Sequence, residues 1–343
     1  MYILGSLAAV LVASKGALAV GSPFGYATGT TGGAAAAQAI PTSAAQLKSW
    51  QLAINANNWC SADAATLSIT YKKAATSGII VGSNKTILGK GSSGWIKGKG
   101  LRLVGSTNVI IQNIRISDLN AQFVWGGDAI GLEGASKIWI DHNYIKSIGR
   151  QFIVSHFDPN TQITISNNYF DGQSTYSTGC DQHHYWTFMF VGKADQITFA
   201  RNYIYYTAGR GPKVGGTSGY TQNLHIYNNY WNDITGHALD AATGSRVLLE
   251  GNVFNGVKTP STGDTAGTVF APTSSTMNAQ CTSVISRNCV SNTLTGGSGS
   301  LANTANTAAI SPFTASTVKS ASVMDPSSVA SYVLANAGLG KVN

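Results

Sequence analysis

Apolar residues recur along this chain in short alternating runs, and five of those runs share one pattern. Ile138-Trp139-Ile140-Asp141-His142-Asn143-Tyr144 is followed by Ile163-Thr164-Ile165-Ser166-Asn167-Asn168-Tyr169. Next come Ile197-Thr198-Phe199-Ala200-Arg201-Asn202-Tyr203, Leu224-His225-Ile226-Tyr227-Asn228-Asn229-Tyr230 and Val247-Leu248-Leu249-Glu250-Gly251-Asn252-Val253. The copies start 25, 34, 27 and 23 residues apart. Alternation at a period of two marks strands. A repeat of this length marks stacked units, none of which can bury its apolar face alone. A looser copy, Val109-Ile110-Ile111-Gln112-Asn113-Ile114, lies one turn earlier. One strand per coil, wound up an axis, predicts an all-β chain folded as a parallel β-helix. The asparagine that closes each copy is then expected to bond its neighbours up the axis, as identical side chains do in stacked sheets. The competing architecture, a β-sandwich with asparagines in its turns, does not explain why separate strands share one motif.

The segments between and around the copies complete the layout. Val20 to Pro41 reads as an irregular lead-in, and Ser43 to Ala56 has helical character. Gly89 to Gly100 reads as a Gly/Lys-rich turn between coils. Asp171 to Tyr185 is a polar insertion that accounts for the longest repeat spacing, and such loops build binding faces on solenoids. Thr259 to Ala308 is Ser/Thr/Gly-rich. Asp325-Pro326 supplies the N-cap and first residue of a last helix, with Val329, Tyr332 and Val333 as its apolar stripe and Gly338 beyond it. That helix is expected to cover one end of the solenoid, whose edge would otherwise be open to pairing.

Composition narrows the partners. Only 10% of residues are charged and 43% are hydrophobic, which suits a packed extracellular solenoid. The formal net charge of +8 admits nucleic acid, membrane surfaces or acidic polysaccharides. The chain has no block of five basic residues, so nucleic acid is not expected. It has no apolar run of 18, so no membrane span is expected either. Met1 to Ala19 reads as a secretory signal, with an apolar core at Leu7–Ala13 and a cleavage site at Ala17-Leu18-Ala19, which leaves 20–343 as one domain. Four cysteines suit an oxidising compartment. Cys281 and Cys289 are expected to form a local disulfide, while Cys60 and Cys180 pair only if the fold brings them together. Asn84-Lys85-Thr86 is the sole glycosylation sequon. The chain contains no C-x-x-C, H-E-x-x-H or G-x-S-x-G motif. Gly89 to Gly94 fits G-x-G-x-x-G, but no helix follows to hold a dinucleotide. Adjacent His183 and His184 point opposite ways on extended chain, so neither a metal nor a cofactor is expected.

The chemistry lies between the strands. Trp125-Gly126-Gly127-Asp128-Ala129-Ile130 precedes the first strong copy, and Ile148-Gly149-Arg150-Gln151 follows it. Gly209-Arg210-Gly211-Pro212-Lys213-Val214 follows the third. Taken singly, each charged residue is an ordinary turn residue. Corresponding places in successive coils lie one above another, so Asp128, Arg150, Arg210 and Lys213 are expected to make a positive cleft with one carboxylate. Trp139 lies within a strand and is expected to pack. Trp125 and Trp186 lie beside loops and are expected to stack on sugar.

These segments, together with Trp139-Ile140-Asp141-His142 and His183-His184-Tyr185-Trp186, resemble those of fungal pectin lyases of the pectate lyase superfamily. The resemblance runs from about Asn55 to Lys341 and keeps the motifs in order. It implies a single-stranded right-handed parallel β-helix, with projecting loops, that cuts methyl-esterified pectin by β-elimination as a secreted monomer. By motif, Arg210 matches the catalytic arginine, Arg150 and Asp128 its cleft partners, and Lys213 lies beside them. Trp59, Trp125, Tyr185 and Trp186 match the aromatics of the substrate groove. The related pectate lyases act on the free acid and hold calcium with acidic side chains. Lys146 and Arg150 stand where two of those acids would be, and cations are poor company for calcium. The alternatives are a calcium-dependent pectate lyase and a β-helix that only binds pectin. The chain also departs from the family. Leu47 to Leu52 runs straight on towards Asn55 to Cys60, so about one coil and two cysteines are absent. Gly215 and Gly216 replace bulkier polar residues.

Overall fold

The computed structural model describes residues 19–33, 38–39, 43, 59–62, 66–68, 78–123 and 126–342. The expected leader up to Leu18, most of Ser43–Ala56, the site of the absent coil and Trp125 lie outside the described residues. The rest is a parallel β-helix. The first sheet stacks ten strands, from Gln38–Ala39 through Thr107–Gln112, Ser136–Asp141, Thr161–Ser166, Ala194–Ala200, Thr221–Tyr227 and Ser245–Glu250 to Thr268–Phe270. Its register follows the repeat read from the sequence: Ile138 pairs with Ile163, Ile163 with Ile197, Ile197 with Leu224 and Leu224 with Val247. The lead-in crosses this sheet as a strap, Ala27 packing on Ile110 and Trp139 and its N–H donating to Thr164 Oγ1 at 3.0 Å.

Each coil carries three strands rather than the single one expected. A second sheet runs through Arg115–Leu119, Tyr144–Ile148, Tyr169–Asp171 and Tyr203–Thr207. A third runs through Leu101–Val104, Ile130–Glu133, Ile153–Val154, Phe188–Phe190 and Lys213–Val214. The long strand Tyr230–Ala241 joins both. These strands escape a search for alternation because many hold only two to five residues. The segment Gly89–Gly100 likewise holds the second-sheet strand Trp95–Lys97 and is not simply a turn.

Inward residues form columns. Ile111, Ile140, Ile165, Phe199, Ile226 and Leu249 line the first sheet. Ile116, Ile145, Phe170, Ile204, Trp231 and Phe254 line the second, and all twelve are buried.

Between the first and second sheets each coil makes the same sharp corner. His142, Asn167, Arg201, Asn228 and Gly251 all take left-handed backbone, with φ of 52°, 50°, 59°, 54° and 62°. The next residue is the ladder asparagine. Nδ2 of Asn143 donates to Oδ1 of Asn168 at 2.9 Å, and Asn168 to Asn202, Asn202 to Asn229 and Asn229 to Asn252 follow at 3.0, 2.9 and 3.0 Å. Asn292 adds a rung the repeat did not reveal, accepting from Asn252 at 3.0 Å. Asn113 of the looser copy is displaced by one place. It takes the left-handed corner itself, and Ile114 stands at the ladder position, its N–H donating to Asn143.

The last helix is Pro326–Asn336, with the Asp325 side chain capping Ser327 N as expected. It does not cover an end of the solenoid. Its buried Val329 and Val333 pack on Tyr230 and Val253 on the flank of the second sheet. The chain beyond it runs back along that flank, Gly338 N donating to Asn167 O and Gly340 N to Asn113 Oδ1. The reason is the row Tyr144, Tyr169, Tyr203 and Tyr230, which presents an apolar strip beside the corners. Cys281 and Cys289 form the expected disulfide, within a cluster containing Leu248, Ile285, Ile310 and Phe313. Cys180 is exposed and carries no disulfide, and the side chain of Cys60 lies outside the described residues.

An interior rung is the most expensive place to cut the ladder. Asn202→Ala should lower unfolding free energy by about 3 kcal/mol in denaturant titrations, because several buried groups lose their partners at once. An exposed change such as Thr262→Ala should cost less than about 0.5 kcal/mol.

Candidate active site

The third sheet begins at the same point in each coil, and the residues just before it lie one above another. Ile130 is in register with Ile153, Ile153 with Phe188, and Met189 with Lys213. Asp128, Arg150, Trp186 and Arg210 therefore occupy nearly equivalent places in four successive coils. Adjacent rungs lie about 4.8 Å apart, so the two arginines are separated by two rungs with Trp186 between them. Arg150, Trp186 and Arg210 line one cleft of about 320 Å³, together with Gln151, Val154, His156, Phe157, Met189 and Val191.

The two arginines are held differently. Arg150 forms a fork on Asp128, Nε to Oδ1 at 2.8 Å and Nη2 to Oδ2 at 2.6 Å. Gln151 N also donates to Asp128 Oδ1, at 2.9 Å. The hydrogen bond to Asp128 raises the pKa of Arg150 against the opposing effect of burial. Arg210 has no such partner: among the described residues, no carboxylate forms an ion pair with it. Its guanidinium lies over the Trp186 ring at 4.4 Å, and Nη1 meets Met189 Sδ at 3.3 Å. Its backbone is left-handed, with φ of 49°, an uncommon state for a large side chain and one that concentrates at functional sites.

Lys213 follows Met189 in register on the third sheet, and its Nζ lies 3.0 Å from Asp240 Oδ2. Its charge is shared with a carboxylate that the sequence reading did not single out. Lys146 is likewise matched, by Asp171 at 3.0 Å. Trp186 offers one ring face to Arg210, so it acts at least partly as that cation's platform. Tyr185 packs edge-on against Trp186 and His237, and a side-chain carbon at Gly209 would sit 2.5 Å from its ring. It borders a separate pocket of about 50 Å³ with Tyr176 and Gln122. Trp59 starts a first-sheet strand, whereas the described cleft residues come from the third sheet and the segments flanking it; its side chain lies outside the described residues, as does all of Trp125.

A family model described as pectate lyase matches residues 1–342. The chain belongs to the pectate lyase family. Among curated relatives of this family member, the probable pectin lyase F of Emericella nidulans is 41% identical over 376 aligned positions, covering 98% of this chain and 79% of the relative. Pectin lyase B of the same organism is 40% identical, covering 98% of each. Both alignments exceed the 343 residues of the chain, so these relatives carry residues that it lacks. Among solved structures, a pectate lyase from Bacillus sp. N165 in complex with trigalacturonate shares the fold. Its TM-score is 0.65 at 23% identity, over 94% of this chain and 100% of that one.

Sequence reading missed the role of His184 in this pectate lyase-family cleft. It is buried and stacked on Phe152, 4.7 Å between centroids. Its Nε2–H lies 2.8 Å from Arg150 O and 2.9 Å from Trp186 O, tying together two of the four coils that build the cleft. The doublet His183-His184 was visible, but the hydrogen-bond partners of His184 are backbone carbonyls, which no residue type reveals. Among the described residues no group of three metal-binding side chains assembles. Burial pushes the His184 imidazole down to about 4, against the two carbonyl contacts. A depressed folded pKa means that its contribution is complete above about pH 6.5 and is lost as pH falls towards 4. Thermal unfolding should show a stability decline across that window in wild type that is shallower in His184→Gln.

Proposed function

We propose that this protein is a secreted pectin lyase that cleaves internal α-1,4 bonds of methyl-esterified galacturonan by β-elimination, releasing 4,5-unsaturated oligogalacturonates. The observation that carries this reading is the contrast between two arginines facing one cleft. Asp128 neutralises Arg150, while Arg210 stands without a carboxylate among the described residues. The relatives named pectin lyase, at 40 and 41% identity, support the same reading.

The chemistry suits these groups. The proton at C5 of the uronate passes to Arg210 in its neutral form. The C–H pair becomes the C4=C5 double bond, the C4–O bond breaks, and the glycosidic oxygen leaves with a proton from solvent. Negative charge gathers on the ester carbonyl as C5 loses its proton, and fixed donors there lower the barrier most. Arg150 spends Nε and Nη2 on Asp128, which leaves Nη1 for that oxygen. Lys213, shared with Asp240, adds positive potential from farther off. A methyl ester carries no charge of its own to hinder proton removal, so calcium is not required. By the family resemblance Arg150 and Lys146 replace two calcium acids, and the latter already bonds Asp171. Secretion is supported by the leader-like Met1–Ala19 and by the Cys281–Cys289 disulfide.

Purified protein incubated with highly esterified pectin and chelator should generate the near-ultraviolet absorbance of the unsaturated product. Arg210→Ala should lose about three orders of magnitude in kcat with little change in KM, because its role exists mainly in the transition state. Activity silenced by chelator and restored by calcium would reassign the protein as a pectate lyase. A folded protein that binds pectin without forming product would make it a binding module.

A further inference from the structure

The outward-facing row of the third sheet runs through the cleft, where Val154 and Met189 form its floor. In register up the axis it reads Arg102, Gly131, Val154, Met189, Lys213 and Asp240. The charges at its ends are matched internally, Arg102 by Glu133 and Lys213 by Asp240. Between them the floor is apolar: Val154 and Met189, with Val191 alongside. Phe157 stands at the rim, 61% exposed, the highest exposure among the large exposed hydrophobic residues described. Its backbone is anchored, its carbonyl accepting from Lys193 N at 3.0 Å, so the ring is presented from a fixed point. Burial lowers the pKa of His156 beside it. Asp128 and Glu133 oppose that effect, while Arg102 and Arg150 reinforce it.

We propose that Val154, Met189 and Phe157 read the esterification state of the substrate, seating the methyl esters of uronates next to the one attacked. The inference rests on the pectin lyase reading above. An ester methyl gains from burial against Val154 and Met189. A free carboxylate on the same floor sheds water and finds no unmatched cation there, since Arg102, Arg150 and Lys213 each already hold a carboxylate. Arg210 is committed to the reacting uronate as its base. Phe157 then supplies a flat apolar face for the neighbouring sugar ring, which explains why so large a ring is left in solvent.

The test compares kcat/KM on highly and on weakly esterified pectin, with circular dichroism confirming the fold of each variant. Phe157 is exposed, so its substitutions should leave the core intact. Phe157→Ala should lower the preference for the highly esterified polymer about fivefold, and Phe157→Lys about tenfold, both mainly through KM. Phe157→Tyr should keep the preference. Val154→Thr, nearly isosteric but polar, should lower it without altering the rim. A wild-type enzyme that forms product, with Phe157→Ala, Phe157→Lys and Val154→Thr all keeping its preference, overturns the proposal and leaves the pectin lyase reading standing. A wild-type protein that forms no product from either polymer removes both.

Discussion

The structure depends on the corner between the first and second sheets. There the chain turns through one left-handed residue and then offers an asparagine whose amide bonds the coil above and the coil below. Each rung also caps backbone: Asn168 Oδ1 accepts from Asn143 N, and Asn202 Oδ1 from Asn168 N, at 2.9 and 3.0 Å. With that corner held, register follows. A slip of one residue would send every inward isoleucine to the outer face, and the ladder does not permit it. This is why residues as unlike as His142, Arg201 and Gly251 can share the left-handed position. The ladder, more than the preference of the residue, determines the conformation.

Register then assembles the cleft without any loop having to fold over it. Asp128, Arg150, Trp186 and Arg210 come together because each precedes the third sheet by two or three places. Their separations along the axis are those of the rungs, and their charges are managed pair by pair. The outward-facing row of the third sheet carries Arg102–Glu133 at one side and Lys213–Asp240 at the other. Arg210 is the exception, held by an aromatic face and a sulfur rather than by an anion.

Much of this was legible in the sequence, and the failures have physical causes. The first sheet could be read because its strands are long and end on one motif. The two shorter sheets could not: Ile153–Val154 shows no period at all. Asn292 escaped because it follows the last first-sheet strand, Thr268–Phe270, by a long excursion that includes the disulfide. The motifs led to Asp128, Arg150 and Arg210, and register brought them together. The matching of Lys213 by Asp240 and Lys146 by Asp171 lies 27 and 25 residues away, where only registered coils reveal a partner. Val154 and Met189 looked like any strand residues, since nothing in a short apolar run says which side faces a ligand.

The strap formed by the lead-in also constrains the order in which the molecule assembles. Phe24 O accepts from Thr164 Oγ1 at 2.6 Å, Tyr26 N donates to Thr198 Oγ1 at 3.0 Å, and Gly33 N donates to Thr86 Oγ1 at 2.9 Å. A solenoid could in principle grow coil by coil, each new turn finding its seat on the one before. This strap breaks that order. It leaves the ribosome before the coils it clasps, and its partners at Thr164 and Thr198 follow 137 and 172 residues behind the atoms they bond. The strap therefore waits for the coils it clasps, and closing loops of that length carries a larger entropic cost than closing one coil on the next. Once seated, it binds the coils of Thr86, Ile110, Trp139, Thr164 and Thr198 into a unit that opens together instead of fraying from one end.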